Sequence, residues 1–323
     1  MGLFVFGTYA GWWYGGTLVA LGGPLIARLN IFALVLCLFI LYKGWYNPTT
    51  KDNRYRGDTI SDFFWGCDLY PNWFGLDLKV WTNCRMGMTM WPLIVTSCVF
   101  YQYEKYGASG VTSNMLCTTI LQLVYITKFF WWEGGYYSTI DIMQDCAGFY
   151  LCWGCLVWVP TVYTMPATFV CFNPEMNTDP KIMLCVFIVG LIGVYINYDI
   201  DSQRGYIRQT KAEVEIWGYK PTYIPAEYTT GDGKVRQSML ITSHWWGVAR
   251  HFHYVWELLA ALMWSVPSGF QAHSPIGYIY IFQLTCILMQ RIFRDEVKCK
   301  AKYGKYYEKY CSIVKYRLIP GIF

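Results

Sequence analysis

The chain has 323 residues, 55% of them hydrophobic, 20% aromatic and only 15% charged, with a net charge of +5. That balance excludes an ordinary soluble domain, whose charged fraction is about 25%. Thirteen cysteines, an odd number scattered through apolar stretches, exclude a disulfide-framed scaffold, and no nucleic-acid partner is expected.

Apolar runs recur at Leu3–Leu21, Asn30–Tyr42, Met88–Tyr101, Val111–Trp132, Ala147–Phe172, Ile182–Tyr198, Val255–Val266 and Gly277–Met289. Several reach the ~20 residues that cross hydrocarbon. Open sheets cannot cross it, so the spans are helices. The expected fold class is all-α, a polytopic transmembrane helical bundle of roughly seven or eight spans. The first run shows little sign of a cleavable signal, because no basic region precedes it and Trp12, Trp13 and Tyr14 interrupt it. Met1 begins almost inside a span, as in a shortened relative of a longer protein.

In chain order, residues 1–43 are apolar and Gly-rich, and 44–86 form a polar connection with turn signals at Asn47-Pro48-Thr49-Thr50 and Asp68-Leu-Tyr-Pro71-Asn72. From Met88 to Tyr198 the chain reads as mostly membrane helix. Residues 199–242 are the longest polar interruption, and Thr229-Thr230-Gly231-Asp232-Gly233 within them predicts a hairpin turn between two short extended runs. Helical sequence then returns and ends in a basic amphipathic tail. Nine Lys or Arg residues fall in Arg291–Arg317, against Asp295, Glu296 and Glu308, and a second basic group comprises Arg204, Arg208, Lys211 and Lys220. Such clusters beside span ends mark the cytoplasmic side and meet lipid headgroups.

Four constellations carry possible chemistry. Asp141, Gln144, Asp145, Gly148, Cys152 and Cys155 follow the spacing of one helix face. An Asp at a helix centre in lipid costs ~2.5–3.5 kcal/mol, so either the pair sits at the membrane edge or it has a purpose. The Cys146-Ala-Gly-Phe-Tyr-Leu that follows places Asp145 deeper, and a desolvated carboxyl is a natural proton donor. Arg204 and Arg208, one turn apart, either face solvent or straddle a phosphate. Trp246, Arg250, Tyr254 and Glu257 share a helical face beside His253, where Arg250 binds an anion or simply pairs with Glu257. Asp295, Cys299 and Tyr303 repeat every four residues, with Tyr310 two turns on. Cys152-Trp-Gly-Cys155 matches a redox spacing, but inside a predicted membrane helix it reads as structural. There is no GxGxxG and no Walker loop, so a nucleotide would need other groups for its phosphates.

These pieces together resemble the sterol reductase family, in its Δ7 branch, and the pattern with Cys155 and His253 looks like its plant-type members. The matching blocks are WTNCRMGM (81–88), LVYITKFFWWEGGYYSTIDI (123–142), GFYLCWGCLVWVPTVYT (148–164), IWGYKP (216–221), TSHWWGVARHFHY (242–254), RDEVKCKAKYGKYYEKYC (294–311) and YRLIPGIF (316–323). The resemblance runs roughly from Tyr42 to Phe323. It implies a single membrane domain over 1–323, with 1–198 mainly transmembrane and on the sterol side and 199–323 forming an NADPH-binding C-terminal half. Carried over by position, the cofactor contacts are Arg204, Arg208, Ile241, Trp246, His253, Tyr254, Asp295, Cys299, Lys300, Lys302, Tyr303 and Tyr310, with Arg250 setting the positive field. The acid side is Asp145, with Asp141 and Tyr137. The substrate is a sterol drawn from the bilayer, the other partners are membrane lipids, and the family implies the endoplasmic reticulum in a eukaryote.

The chain departs from the family pattern in places. Where relatives read D-I-x-H-D, this chain has Asp141-Ile142-Met143-Gln144-Asp145; Asp68 to Gly75 lacks an Arg and a Lys; and Trp256 is bulky where a small residue or Pro is usual. Three other readings stay open: a Δ14- or other-position sterol reductase, an isoprenylcysteine-type methyltransferase, and a sterol-binding protein without catalysis.

Overall fold

A computed structural model describes residues 1–49, 53–229, 233–271 and 274–323. The chain divides into two compact units, Met1–Phe187 with Trp264–Tyr280, and Ile188–Met263 with Ile281–Phe323.

Four helices among the described residues are long and apolar enough to cross a membrane: Gly22–Tyr46, Phe149–Phe172, Pro180–Gln209 and Ser274–Tyr303. The first buries Ala33, Cys37, Ile40 and Leu41 on one face and exposes Ile31, Val35 and Leu38 on the other, as a helix does between protein and lipid. The larger set of spans expected from the apolar runs is not reached on this criterion, for physical reasons. The Leu3–Leu21 run is cut into helices Gly2–Tyr9 and Thr17–Ala20, because the Glu104 carboxylate draws the amides of Gly15 and Gly16 to 2.9 and 3.0 Å. Helices Met88–Tyr106 and Ser113–Trp131 are each 19 residues long but spend part of their length on buried polar side chains. Trp91 Nε1 donates to Gln122 at 2.7 Å, and the Gln122 amide donates to Thr118 Oγ1 at 3.0 Å. These pairs satisfy each other in the core of the first unit.

The expected helix face from Asp141 to Cys155 does not form. A four-residue helix, Ile140–Met143, stops at Gln144, and the next begins only at Phe149. Two glycines impose the break. A Cβ on Gly148 would lie 2.2 Å from the Gly66 nitrogen, and one on Gly66, at φ +79°, would lie 2.2 Å from the Ala147 carbonyl oxygen. Backbones this close leave no room for a continuing helix, and Ala147 N turns instead to Asp68 O at 3.0 Å. The pair is thereby split in the opposite sense to expectation: Asp141 is buried and Asp145 only partly so.

The polar connection packs rather than loops. Lys43 and Asp68, both buried, approach to 3.5 Å, and Asp68 also accepts Thr49 N at 2.8 Å. Thr50 of the first turn signal lies outside the described residues.

In the second unit the two extended runs expected in the polar interruption pair with each other. Strands Tyr223–Thr229 and Val235–Ile241 pair antiparallel, from Tyr223 opposite Ile241 to Thr229 opposite Val235. Ile224 and Ala226 turn inward with Leu240 against Tyr307, Tyr310 and Val314. The hairpin's expected Thr230, Gly231 and Asp232 lie outside the described residues.

Candidate functional site

The second unit gathers most of the residues read as cofactor contacts into one row. Helix Pro180–Gln209 buries Ile200 and Ile207 in a cluster with Ala212, Ile241 and Trp246. That burial fixes the helix rotation and leaves Arg204 and Arg208 exposed on its last turns. Trp246 is pinned by its indole N–H, which donates to Ile200 O at 2.9 Å, and the Arg204 guanidinium lies 4.9 Å over its ring. Such a stack orients a cation without neutralising it. Among the described residues neither Arg204 nor Arg208 pairs with a carboxylate.

From Trp246 the row continues through rings. Trp246 and His253 centroids are 5.2 Å apart, His253 and Tyr254 4.2 Å, and Tyr254 stacks on His251 at 5.5 Å with 10° between planes. His251 Nε2 stands 3.9 Å from Asp295, which accepts the Cys299 thiol at 3.7 Å. Burial and the neighbouring His253 push His251 down to about 4 despite Asp295 and Glu296, so its imidazole is neutral at pH 7. Tyr303 meets Tyr228 edge-on at 5.7 Å and lies 3.3 Å from Ser238 Oγ. Lys302 places its ammonium 3.9 Å over the Tyr228 ring. Tyr310 is buried in the hairpin's core, where desolvation holds its phenol well above the ordinary range.

The two remaining cations differ in burial and partners. Lys300 is exposed. Arg250 does not sit on a continuous helical face, because the helix His244–Val248 ends at Ala249, in extended backbone, and a new one starts at Phe252. Between them Arg250 N and His251 N donate to Tyr316 O and Arg317 O at 3.0 and 2.9 Å. The Arg250 side chain donates to Glu296 at 2.7 and 3.2 Å and to the carbonyls of Val314 and Lys315 at 2.7 and 3.0 Å. Its carboxylate partner is thus Glu296, not the Glu257 that sequence spacing offered.

In the first unit, Tyr137 lies in a cluster with Glu133, Arg85 and Cys84, in which Arg85 Nη2 donates to Glu133 at 3.1 Å. Tyr136, its neighbour, donates to Asn83 at 3.1 Å. Asp141 and Asp145 follow on the short helix and the loop after it. Cys152 is fully buried and lies 3.8 Å from Thr82 Oγ1, while Cys155 bonds to Asn83; both cysteines are free thiols. Among the described residues no cluster of His, Cys, Asp and Glu could hold a metal.

The ergosterol biosynthesis ERG4/ERG24 family model matches residues 18–323. The chain belongs to this family of sterol reductases. It is 45% identical to a 7-dehydrocholesterol reductase of Arabidopsis thaliana, over 98% of this chain and 73% of that protein. A 7-dehydrocholesterol reductase of Danio rerio is 38% identical over 93% of this chain and 62% of its own length. A Delta(14)-sterol reductase of Methylotuvimicrobium alcaliphilum is 34% identical over 93% of this chain and 67% of its own. The chain spans about two thirds of the length of the relatives it matches.

Arg204, Trp246 and His253, each expected among the cofactor contacts, lie side by side; the sequence did not single out His251, the ring between Tyr254 and Asp295, or Lys79. The signal for His251 was present in His251-Phe-His253; nothing local marked Lys79.

Proposed function

We propose that this chain uses NADPH to reduce the C7–C8 double bond of 5,7-diene sterols taken from the bilayer, in the endoplasmic reticulum if its cell is eukaryotic. The observation that carries the cofactor reading is the unpaired Arg204 and Arg208 beside the ring row of Trp246, His253 and Tyr254. Two guanidiniums without a carboxylate partner fit phosphates, and the flat rings beside them offer stacking surfaces for the rings of a nucleotide. The same pair disfavours a methyltransferase, whose cofactor has no phosphate. Higher identity to relatives named 7-dehydrocholesterol reductase than to the Delta(14) relative favours the Δ7 position. Counting Met88–Tyr106 and Ser113–Trp131 with the four longer helices gives six spans, and the 14-residue Phe252–Ser265, about 21 Å long, makes a seventh where its flanking residues extend it.

In this reading Arg204, Arg208 and Lys302 hold phosphates, and Trp246, His253, Tyr254 and Tyr303 seat the rings. Bound there, NADPH supplies a hydride. The chain's own task is the proton. A protonated carboxyl of Asp145 delivers it to C8, the C7–C8 π pair forms the new C–H bond, and the positive charge spreads over C5–C7 as an allylic cation. Hydride at C7 completes the reduction and leaves the C5–C6 double bond. Asp141 and Tyr137 support the acid side.

Product analysis by mass spectrometry, with several dehydrosterols and with or without NADPH, tests the reading directly. Loss of the Δ7 bond is expected; loss of Δ14 alone would transfer it to that branch, and no NADPH-dependent product would leave a sterol-binding protein. Asp145→Asn is expected to abolish turnover and keep NADPH affinity, and a fully active variant would remove Asp145 from the acid role.

A further inference from the structure

We propose that Lys79 is a positioning residue for the acid loop, gripping the backbone of Asp145 so that its carboxyl is presented in one attitude. The inference rests on the acid role given to Asp145 above.

Lys79 has no exposed surface. Its ammonium donates to Leu69 O at 3.2 Å, Ile142 O at 2.6 Å and Asp145 O at 2.6 Å, and lies 4.9 Å over the Tyr70 ring. An ammonium has three protons and three acceptors meet them, which leaves no lone pair for base chemistry. Burial pulls Lys79 down to about 8, against the nearby Cys146, Asp77, Asp145 and Cys152, which raise it, so at pH 7 the group remains mostly a cation. A buried ammonium is costly compared with an apolar side chain of the same shape. Its bonds buy geometry here rather than packing.

The loop requires such a grip. Helix Ile140–Met143 is one turn long, so its last carbonyls have no helical partners, and the chain then crosses Gly66 without regular structure. Lys79 caps the carbonyls of Ile142 and Asp145, where a cation also suits the helix dipole. Arg54 supports the same loop by donating to Gln144 O at 2.7 Å.

Lys79 is itself held at both ends. Its N–H donates to Asp77 at 2.9 Å, and its carbonyl accepts Thr82 Oγ1 and Asn83 Nδ2, each at 3.0 Å. Asn83 Oδ1 in turn accepts Tyr136 and Cys155. The π-helical turn Trp81–Gly87 therefore acts as a bracket that ties Lys79 to the segments of Tyr136 and Cys155. A general acid misplaced by ~1 Å loses about 100-fold in rate.

The test compares Lys79→Met, Lys79→Arg and wild type in turnover, NADPH affinity and amide hydrogen exchange. Lys79→Met should lower kcat about 100-fold and leave the NADPH Kd within about twofold. Exchange over 140–147 should rise about tenfold. Lys79→Arg, which restores charge and donors, should recover a substantial part of the turnover. Unchanged exchange over 140–147 would overturn the proposal, as would kcat near wild type. If Lys79→Met fails to fold, Lys79→Arg decides alone: exchange and kcat intermediate between wild type and an inactive Asp145→Asn support the grip, and a wild-type exchange pattern with lost turnover overturns it. Hydrogen exchange needs no activity, so a wild type that reduces no sterol would refute the function above without touching this result.

Discussion

Replacing Arg250 by Ala separates a structural arginine from a ligand-binding one. The Arg250 side chain is 8% exposed and makes four hydrogen bonds, two to Glu296 and two to carbonyls of the C-terminal segment. Removing one partner of a buried pair costs about 3–5 kcal/mol when the other charge is stranded. Here Glu296 is not stranded, because Arg317 Nε donates to both its oxygens at 2.9 Å. Arg317 is itself 40% exposed and therefore a screened, weaker partner. Water can reach the Lys315 carbonyl, whereas Val314 is 1% exposed and its carbonyl loses its donor outright, at about 1–2 kcal/mol. The lost charge-assisted bonding to Glu296 adds about 1.5 kcal/mol, so the total is about 3 kcal/mol, which for a unit of this size lowers the melting temperature on the order of 10 °C. The assay is thermal unfolding in detergent, with NADPH titration on the same preparations. Arg250→Met combined with Glu296→Gln should recover at least ~1 kcal/mol relative to the sum of the single changes. An Arg250→Ala protein that melts like wild type and only binds NADPH more weakly would refute the structural assignment and return Arg250 to the cofactor field.

Two further outcomes are expected from single positions. His251 is held neutral to about pH 4 in the folded protein, while the unfolded chain protonates it near its ordinary 6.5. The unfolded state therefore binds more protons across that interval, so stability from this group is complete above about 6.5 and declines as pH falls toward 4. Thermal melts at stepped pH should show the decline in wild type and a shallower one in His251→Gln; equal slopes would remove His251 as the cause. Phe74 sits at φ +48° in the turn before Gly75, 93% exposed. Its ring centroid lies 5.2 Å from that of Trp73. Asn tolerates that backbone better, so Phe74→Asn should leave stability unchanged or raise it by at most about 1 kcal/mol; a clear drop in melting temperature would mean that the Trp73 contact outweighs the backbone strain.

Much of this protein follows from sequence alone, wherever the controlling physics is local. The apolar length of Gly22–Tyr46 and Pro180–Gln209 announces membrane helices, because backbone groups in lipid must satisfy themselves within the segment. The run Thr229-Thr230-Gly231-Asp232-Gly233 between two short extended stretches announces the hairpin, because Gly and Asp tolerate the backbone that a tight turn requires. Arg204 and Arg208 announce themselves by spacing, since one helical turn sets them side by side. Tertiary structure decided the remainder. The helix that Ile140 starts stops at Gln144, where its sequence would continue, and Gly66 packs against Ala147 and the extended Gly148 backbone just beyond. Arg250 finds Glu296 46 positions away rather than Glu257 nearby, and Lys79 finds carbonyls 63 and 66 positions along the chain. A buried charge takes whichever partners the packed chain brings within ~3 Å, and periodicity along a sequence carries no record of that meeting.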